Sequence, residues 1–295
     1  MILTVGHTAI DHICKIPHFP SKNSSIYIKE YDKLFGGGAA NVAAVLAAIG
    51  ASSSLLSPIG EGFIESGYRT HLDKLGLDLD YLIETDEKMA NAFVYTDEAG
   101  DQSTFFFWGA SGKFEEMDPP ESIEEFDLVH LAPSDPSFNL KVAEKGDYVS
   151  FDPGQDLPVY SSEDLENIIR EVNILFTNQH ELKKILGKLD IDKNELIDLL
   201  DILVVTCDEE GSTVYFDERT IEIDALDVEL VDPTGAGDGY RAGFLYGLEK
   251  GYEPKVCGRL ASTVASFIVE ETGCQTNLPS WSEVKNRYKD NFGDK

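Results

Sequence analysis

Asp232-Pro233-Thr234-Gly235-Ala236-Gly237-Asp238 lies between a strand-like segment, residues 228–231, and a helix-like one, residues 240–251. Small residues at the mouth of a helix leave backbone N–H groups free and let an anion approach them closely. A carboxylate among those donors would repel a bound phosphate. It makes sense where Asp238 takes a proton from a hydroxyl while its neighbours hold the phosphoryl group that the hydroxyl attacks. The strand–turn–helix order around this stretch recurs along the chain and decides the fold.

Residues 2–6 read as a strand, 39–50 as a helix ended by Gly50, 52–58 as a strand and 66–75 as a helix. Short apolar strands follow at 128–131, 148–151, 174–176 and 202–205, separated by amphipathic pieces such as 164–172 and 193–200. Continuous apolar strands alternating with helices predict a mostly parallel sheet covered on both faces. Residues 25–34 and 90–108 break the alternation with period-two character. The second contains a hairpin, residues 92–96 and 103–107 around a turn at 98–101. Together they predict a small antiparallel β lid, formed by about 10–35 and 88–108, on a single domain spanning 1–295.

Composition bounds the function. With 42% hydrophobic residues in 295, the chain has an ordinary globular core. No apolar run spans a bilayer and no basic leader precedes the first strand, so a soluble, cytoplasmic protein is expected. A net charge of −30 argues against nucleic acid or an anionic membrane as partner. A phosphate site in that field needs local compensation from backbone donors, a divalent ion, or placed cations such as Arg241. The four cysteines and six histidines are scattered without metal-site spacing.

A first glycine cluster, Gly36-Gly37-Gly38-Ala39-Ala40-Asn41, lacks the spacing of a dinucleotide fingerprint. Close backbone approach there suits a polyhydroxyl ligand, with the Asn41 amide as donor and acceptor. It equally suits tight packing of a helix on the sheet. This cluster followed about 200 residues later by residues 232–238 resembles the paired signatures of the PfkB, or ribokinase-like, carbohydrate kinases. The likeness is greater to archaeal nucleoside kinases of that family. It is carried by Val5-Gly6-His7-Thr8-Ala9-Ile10-Asp11, Phe106-Phe107-Trp108-Gly109-Ala110, residues 150–158, residues 232–244 and Gly273-Cys274-Gln275-Thr276-Asn277-Leu278-Pro279.

That resemblance implies a ribokinase-like three-layer α/β/α fold and transfer of the γ-phosphoryl of ATP, with Mg2+, to the 5′-hydroxyl of a nucleoside. Inosine, guanosine, cytidine and adenosine are the expected acceptors. Asp238 is then the general base, and the N–H groups of Gly235, Ala236 and Gly237 form the anion hole. Asp11, Gly37 and Asn41 bind the ribose; Gln155 and Phe106 meet the acceptor. Asn178, Thr206, Gly211, Thr234, Gly235 and Gly237 contact the nucleotide, and Glu181 reaches magnesium through water. Ser262 and Ser266 lie near the adenine. From the residues alone, Asn178 and Glu181 also read as a helix cap and its capping-box partner.

Two departures widen the reading. Gly38 stands where ribokinases proper carry lysine, which leaves room for an acceptor larger than ribose. Asp208, Glu209 and Glu210 occupy the phosphate-loop position and should weaken triphosphate binding unless they point outward. The alternatives are a PfkB-type sugar kinase for ribose, fructose or a related ketose, and a nucleoside- or sugar-binding regulatory protein without turnover. The exposed edges and aromatics expected of the lid suggest a homodimer through it.

Overall fold

The computed structural model describes residues 1–293. Its first half contains β1 (Ile2–Val5), β2 (Ala9–Lys15), β3 (Glu30–Gly36), α1 (Gly38–Ala48), β4 (Ser53–Glu61), α2 (Tyr68–Leu75), β5 (Leu82–Lys88), β6 (Ala90–Thr96) and β7 (Gln102–Phe107). Then come β8 (Leu128–Leu131), α3 (Pro136–Ala143), β9 (Val149–Phe151), α4 (Ser162–Glu171), β10 (Ile174–Asn178), α5 (Gln179–Leu189) and α6 (Lys193–Asp198). The chain continues through β11 (Ile202–Thr206), β12 (Ser212–Phe216), β13 (Arg219–Ile223), α7 (Ala236–Glu249), α8 (Pro254–Ile268) and α9 (Trp281–Phe292).

β1, β8, β9, β10 and β11 are mostly Ile, Leu, Val and Phe, with the buried polar residues Thr4, His130, Ser150 and Thr177 among them, because both faces of the sheet they form are covered. The sheet order is β13-β12-β11-β10-β9-β8-β1-β4-β5, parallel from β11 to β5, with β12 and β13 closing one edge as an antiparallel hairpin. One face packs on α1, α7, α8 and α9, with Val45, Phe244, Val264 and Val284 in one buried cluster. The other packs on α3 to α6 through Phe138, Ile168, Ile185 and Leu196. The order reverses direction at β1, whose neighbours β8 and β4 lead to opposite edges; that is where an open α/β sheet forms a crevice at the strands' carboxyl ends.

The lid is a second sheet, β3-β2-β6-β7. Its outer pairings are antiparallel, and the central one, β2 with β6, is parallel. One side carries Ile13, Leu34, Ala92, Val94 and Phe106, which pack together. The other carries His12, Phe93, Tyr95 and Phe105.

Two expected strands differ. Residues 228–231 form no strand, since the N–H groups of Val231 and Asp232 both go to the carbonyl of Val269 just past α8. The lid segment expected over 25–34 begins only at Glu30, after residues 25–29 without regular structure. Asp11, within the expected lid, sits inside β2 opposite Leu34 of β3.

Candidate active site

The carboxyl ends of the parallel strands set out the site in a row. β1 ends at Gly6 and His7, β8 at Ala132 and Pro133, β9 at Asp152, β10 at Asn178 and β11 at Thr206. Over this row stand the N-termini of α1 and α7, two helices that pack against each other. Gly37 caps α1, and Gly235, at φ +83°, caps α7. A Cβ on Gly235 would lie 2.3 Å from the Cβ of Cys274, so only glycine lets α7 start against residues 273–275. Asp232 fixes the approach by accepting the N–H of Thr234 at 2.9 Å and of Gly273 at 3.0 Å.

Asp238 lies in the first turn of α7 and is directed at α1. Asn41 Nδ2 donates to its Oδ2 at 2.8 Å, and Arg241 Nη1 donates to its Oδ1 at 3.3 Å. Burial pushes its carboxyl up, against the pull of Arg241 and Asn41. The Ala236 N–H is already given to the Pro233 carbonyl at 3.1 Å, a turn bond that removes it from the free donors in this structure. Among the described residues no backbone acceptor takes the N–H of Gly235, Gly237 or Asp238, which leaves those three at the helix mouth.

Asp11 reaches the same space from the lid. Its carboxylate covers the Cα of Gly36, where a Cβ would come within 2.0 Å of Oδ2. Burial, then the fields of Asp238 and Asp232, raise its pKa to about 7. Asp11, Asn41 and Asp238 therefore meet across β2, α1 and α7.

A directional hydrogen-bond chain holds Asn41. His71 Nε2 donates to Gln275 Oε1 at 3.1 Å, and Gln275 Nε2 donates to Asn41 Oδ1 at 2.8 Å. Gln275 Nε2 also donates to the Tyr68 hydroxyl at 2.6 Å, which in turn donates to the Gly36 carbonyl at 2.8 Å. One lone pair of Asn41 Oδ1 is thus taken by Gln275, while Nδ2 is directed at Asp238. Gln275, Tyr68 and His71 had no assigned role; Gln275 stood within a recognised motif, and nothing in that motif pointed at Asn41.

Phe106 lies beside the buried His7, ring centroids 4.9 Å apart, and His7 Nε2 is 2.7 Å from Asp156 Oδ2. Gln155, one residue earlier in the short turn Gly154–Asp156, is exposed. Asn178 caps α5 by accepting the N–H groups of His180 and Glu181, both at 2.9 Å, while Glu181 accepts the Asn178 N–H at 2.9 Å. The capping box is thus formed. The Glu181 charge still reaches Asp152 and Arg241. Thr206 and Gly211 flank a turn in which Asp208, Glu209 and Glu210 are exposed, so those three carboxylates point outward. Ser266 is spoken for, accepting from Arg287 at 2.9 Å and donating to the Thr263 carbonyl at 2.7 Å. Ser262 donates to the Asp224 carbonyl at 2.9 Å, tying the segment before the 232–238 motif to α8.

A parallel sheet with open helix mouths and a half-buried carboxylate beside a crevice is the frame of a phosphotransferase acting on an alcohol group. The model of the pfkB family carbohydrate kinases matches residues 1–281, and the chain belongs to that family of ATP-dependent kinases. It is 44% identical over 299 residues to a nucleoside kinase of Methanothermobacter thermautotrophicus, covering 99% of this chain and 96% of that one. It is 43% identical over 291 residues to the nucleoside kinase of Methanocaldococcus jannaschii, covering 97% and 96%. The crystal structure of the M. jannaschii nucleoside kinase, described as an archaeal member of the ribokinase family, superposes with a TM-score of 0.92 over 98% of each chain. A Burkholderia thailandensis nucleoside kinase in complex with inosine, 28% identical, matches with a TM-score of 0.92 over 100% of both chains; its complex with ADP and inosine matches at 0.89.

Proposed function

We propose that this chain transfers the γ-phosphoryl group of ATP to the 5′-hydroxyl of a nucleoside. The observation that carries the reading is Asp238, held by Asn41 and Arg241 beside the free N–H groups of the α7 mouth. The relatives at 43% and 44% identity bear the name nucleoside kinase, which favours a nucleoside over a free sugar.

In the reaction the hydroxyl oxygen attacks Pγ, the bond from Pγ to the β-phosphate oxygen breaks, and its electron pair leaves on ADP. The hydroxyl proton passes to Asp238. Raised basicity helps Asp238 accept it, and the loose transition state postpones that transfer until the new bond is forming. The Gly235 and Gly237 N–H groups face the charge spread over the equatorial oxygens, with the α7 dipole behind them. Asp11 accepts the ribose hydroxyls, Asn41 donates to the acceptor, and Gly37 lets the sugar approach the backbone. Phe106 and Gln155 meet the base. Asn178, Thr206, Gly211 and Thr234 line the path of the nucleotide.

Among the described residues no three His, Cys, Asp or Glu side chains converge to cage a metal. A magnesium ion would take its ligands from the triphosphate and water, with Glu181 beside it through water, and would neutralise phosphate charge. No described helix is long and apolar enough to cross a membrane, and we place the chain in the cytoplasm. The outer side of the lid exposes an apolar groove lined by Ile16, Phe19, Ile28, Phe93 and Phe105. A second copy covers it in the reading adopted here, and sedimentation as a concentration-independent monomer would exclude that dimer.

The decisive experiment is a coupled assay of wild type and Asp238→Asn across nucleosides and free sugars. Turnover of nucleosides by wild type is expected, with nucleoside binding retained in the variant. A variant kcat above about a tenth of wild type, a change under ~1.4 kcal/mol, refutes Asp238 as the base. Marked preference for a free sugar overturns the acceptor.

A further inference from the structure

Arg241 follows Asp238 by three residues and folds back over the first turn of α7. A Cβ on Gly237 would come within 2.5 Å of Arg241 Nη1, so the guanidinium fills the space directly beside a free N–H of the anion hole. Its Nη1 holds Asp238 Oδ1 at 3.3 Å. Its Nε lies 2.7 Å from Asp152 Oδ2, yet the Nε–H has no hydrogen-bond acceptor in line, so this contact is an ion pair and not a hydrogen bond. Asp152 is anchored from behind, its Oδ1 accepting the Gly154 N–H at 3.1 Å.

The placement is asymmetric. The Asp152 side chain is 2% exposed and that of Arg241 is 15% exposed, which sets the carboxylate at the back and the cation toward the crevice. Burial opposes the Arg241 charge, and the fields of Asp152, Asp238 and Glu181 overcome it. A pair serving only the fold would be served best by closed, in-line hydrogen bonds on every buried N–H. Here one N–H is left open, another contact is long, and the cation stands over the donors that receive phosphate.

We propose that Arg241 is a catalytic residue that binds the phosphoryl group in flight and, by turning from Asp238 to that group, frees the base. This rests on the kinase reading above. Without nucleotide, Arg241 masks Asp238 Oδ1. When the γ-phosphoryl enters the α7 mouth, its oxygens replace Oδ1 at Nη1, while Asp152 keeps the guanidinium in place. The acceptor oxygen then bonds to Pγ, the bond to the β-phosphate breaks with its pair on ADP, and the freed Asp238 takes the proton. Nucleotide arrival and base activation become one event, and the cation needed in a chain of net charge −30 is supplied where charge develops.

The test compares full-length wild type, Arg241→Met and Arg241→Lys. Readouts are kcat, nucleoside affinity by calorimetry, and capture of nucleoside with ADP, Mg2+ and aluminium fluoride as a mimic of the planar phosphoryl group. For Arg241→Met, kcat should fall by about 10²–10³-fold and capture should fall comparably, with nucleoside affinity within about threefold of wild type. Methylguanidine in the assay should restore part of the Arg241→Met rate, and Arg241→Lys should recover less than arginine because it lacks the planar fork. The proposal is overturned if Arg241→Met keeps kcat within about fivefold of wild type. It is equally overturned if nucleoside affinity and thermal stability fall in step with kcat and methylguanidine restores nothing, the pattern of a fold-only residue. Wild-type turnover reports separately on the acceptor; should a free sugar be preferred, the same comparison is made with that sugar.

Discussion

Replacing Gln275 with leucine should disable the site through Asn41, a residue 234 positions away in sequence. Gln275 gives one N–H to Asn41 Oδ1, another to the Tyr68 hydroxyl, and accepts from His71. Leucine of similar size removes all three. His71 is half-buried, so water can replace its partner, and Tyr68 keeps its donation to the Gly36 carbonyl. Asn41 is only 4% exposed and has no substitute donor for Oδ1. An unsatisfied buried acceptor costs about 1–3 kcal/mol, so a net loss of about 2 kcal/mol and a midpoint lower by roughly 3 °C are expected. Catalysis should suffer as well, because an Asn41 amide free to rotate no longer presents Nδ2 steadily to Asp238; a fall in kcat of about tenfold is reasonable for such misplacement. The assay is a double-mutant cycle with Asn41→Ala, read in urea unfolding and in kcat. If Gln275 acts through Asn41, Gln275→Leu costs little in the Asn41→Ala background, and the coupling exceeds about 1 kcal/mol. Effects additive to within about 0.5 kcal/mol would refute the relay.

Asp11, with a pKa raised from 3.8 to about 7 by burial and then by Asp238 and Asp232, gives two pH dependences of opposite sign. The folded chain binds this proton more readily than the unfolded one, so the group costs nothing below 3.8 and its cost grows until pH passes about 7, reaching the order of 4 kcal/mol. Asp11→Asn should therefore be more stable than wild type at pH 8 by calorimetry, with the difference gone below pH ~4; equal stability at pH 8 would contradict the assignment. On the proposed role of Asp11 as acceptor of the ribose hydroxyls, nucleoside binding needs the ionised form, so KM should rise as pH falls from 8 to 6, by up to about tenfold per unit below about 7. Glu181→Gln should keep its capping bond and lose ~0.3–1 kcal/mol from the α5 terminus. It should also raise the magnesium concentration needed for half-maximal rate by several-fold; an unchanged magnesium curve would leave Glu181 as a cap alone.

What could be read from sequence divides along physical lines. Strands β8 to β11 were legible because burial on both faces keeps them predominantly apolar, and α1 because small residues lead into an alanine-rich helix ended by Gly50. Residues 228–231 share the strand composition and failed because composition cannot reveal a hydrogen-bond partner, here the Val269 carbonyl. β5 escaped notice for the opposite reason: Leu82-Ile83-Glu84-Thr85-Asp86-Glu87-Lys88 is an edge strand, polar along most of its length. At the site, Asp238 announced itself by standing among small residues. The chain from His71 through Gln275 to Asn41 joins α2, the segment after α8, and α1, and such meetings are set by tertiary packing that no local pattern encodes.

The acidity of the chain and its handling of phosphate are reconciled by where the charges stand. Asp208, Glu209 and Glu210 are exposed, and at physiological salt a surface charge is screened beyond about 8 Å. The carboxylates that matter are those drawn away from solvent, where screening is weaker: Asp11, Asp152 and Asp232, which are buried, and Asp238, which is half-buried. Two of them are answered in place, Asp232 by the N–H groups of Thr234 and Gly273 and Asp152 by Arg241. Asp238 is answered by the Asn41 amide at 2.8 Å and by Arg241 at 3.3 Å, whereas among the described residues no side-chain donor answers Asp11, which stands in the field of Asp238. In the proposed reaction Asp11 accepts the acceptor's hydroxyls, and a carboxylate kept short of compensation accepts a hydroxyl hydrogen bond more readily than one already neutralised. The burial and repulsion left unrelieved at Asp11 would therefore favour acceptor binding and cost the empty fold, which is why stability and acceptor binding should move in opposite directions with pH.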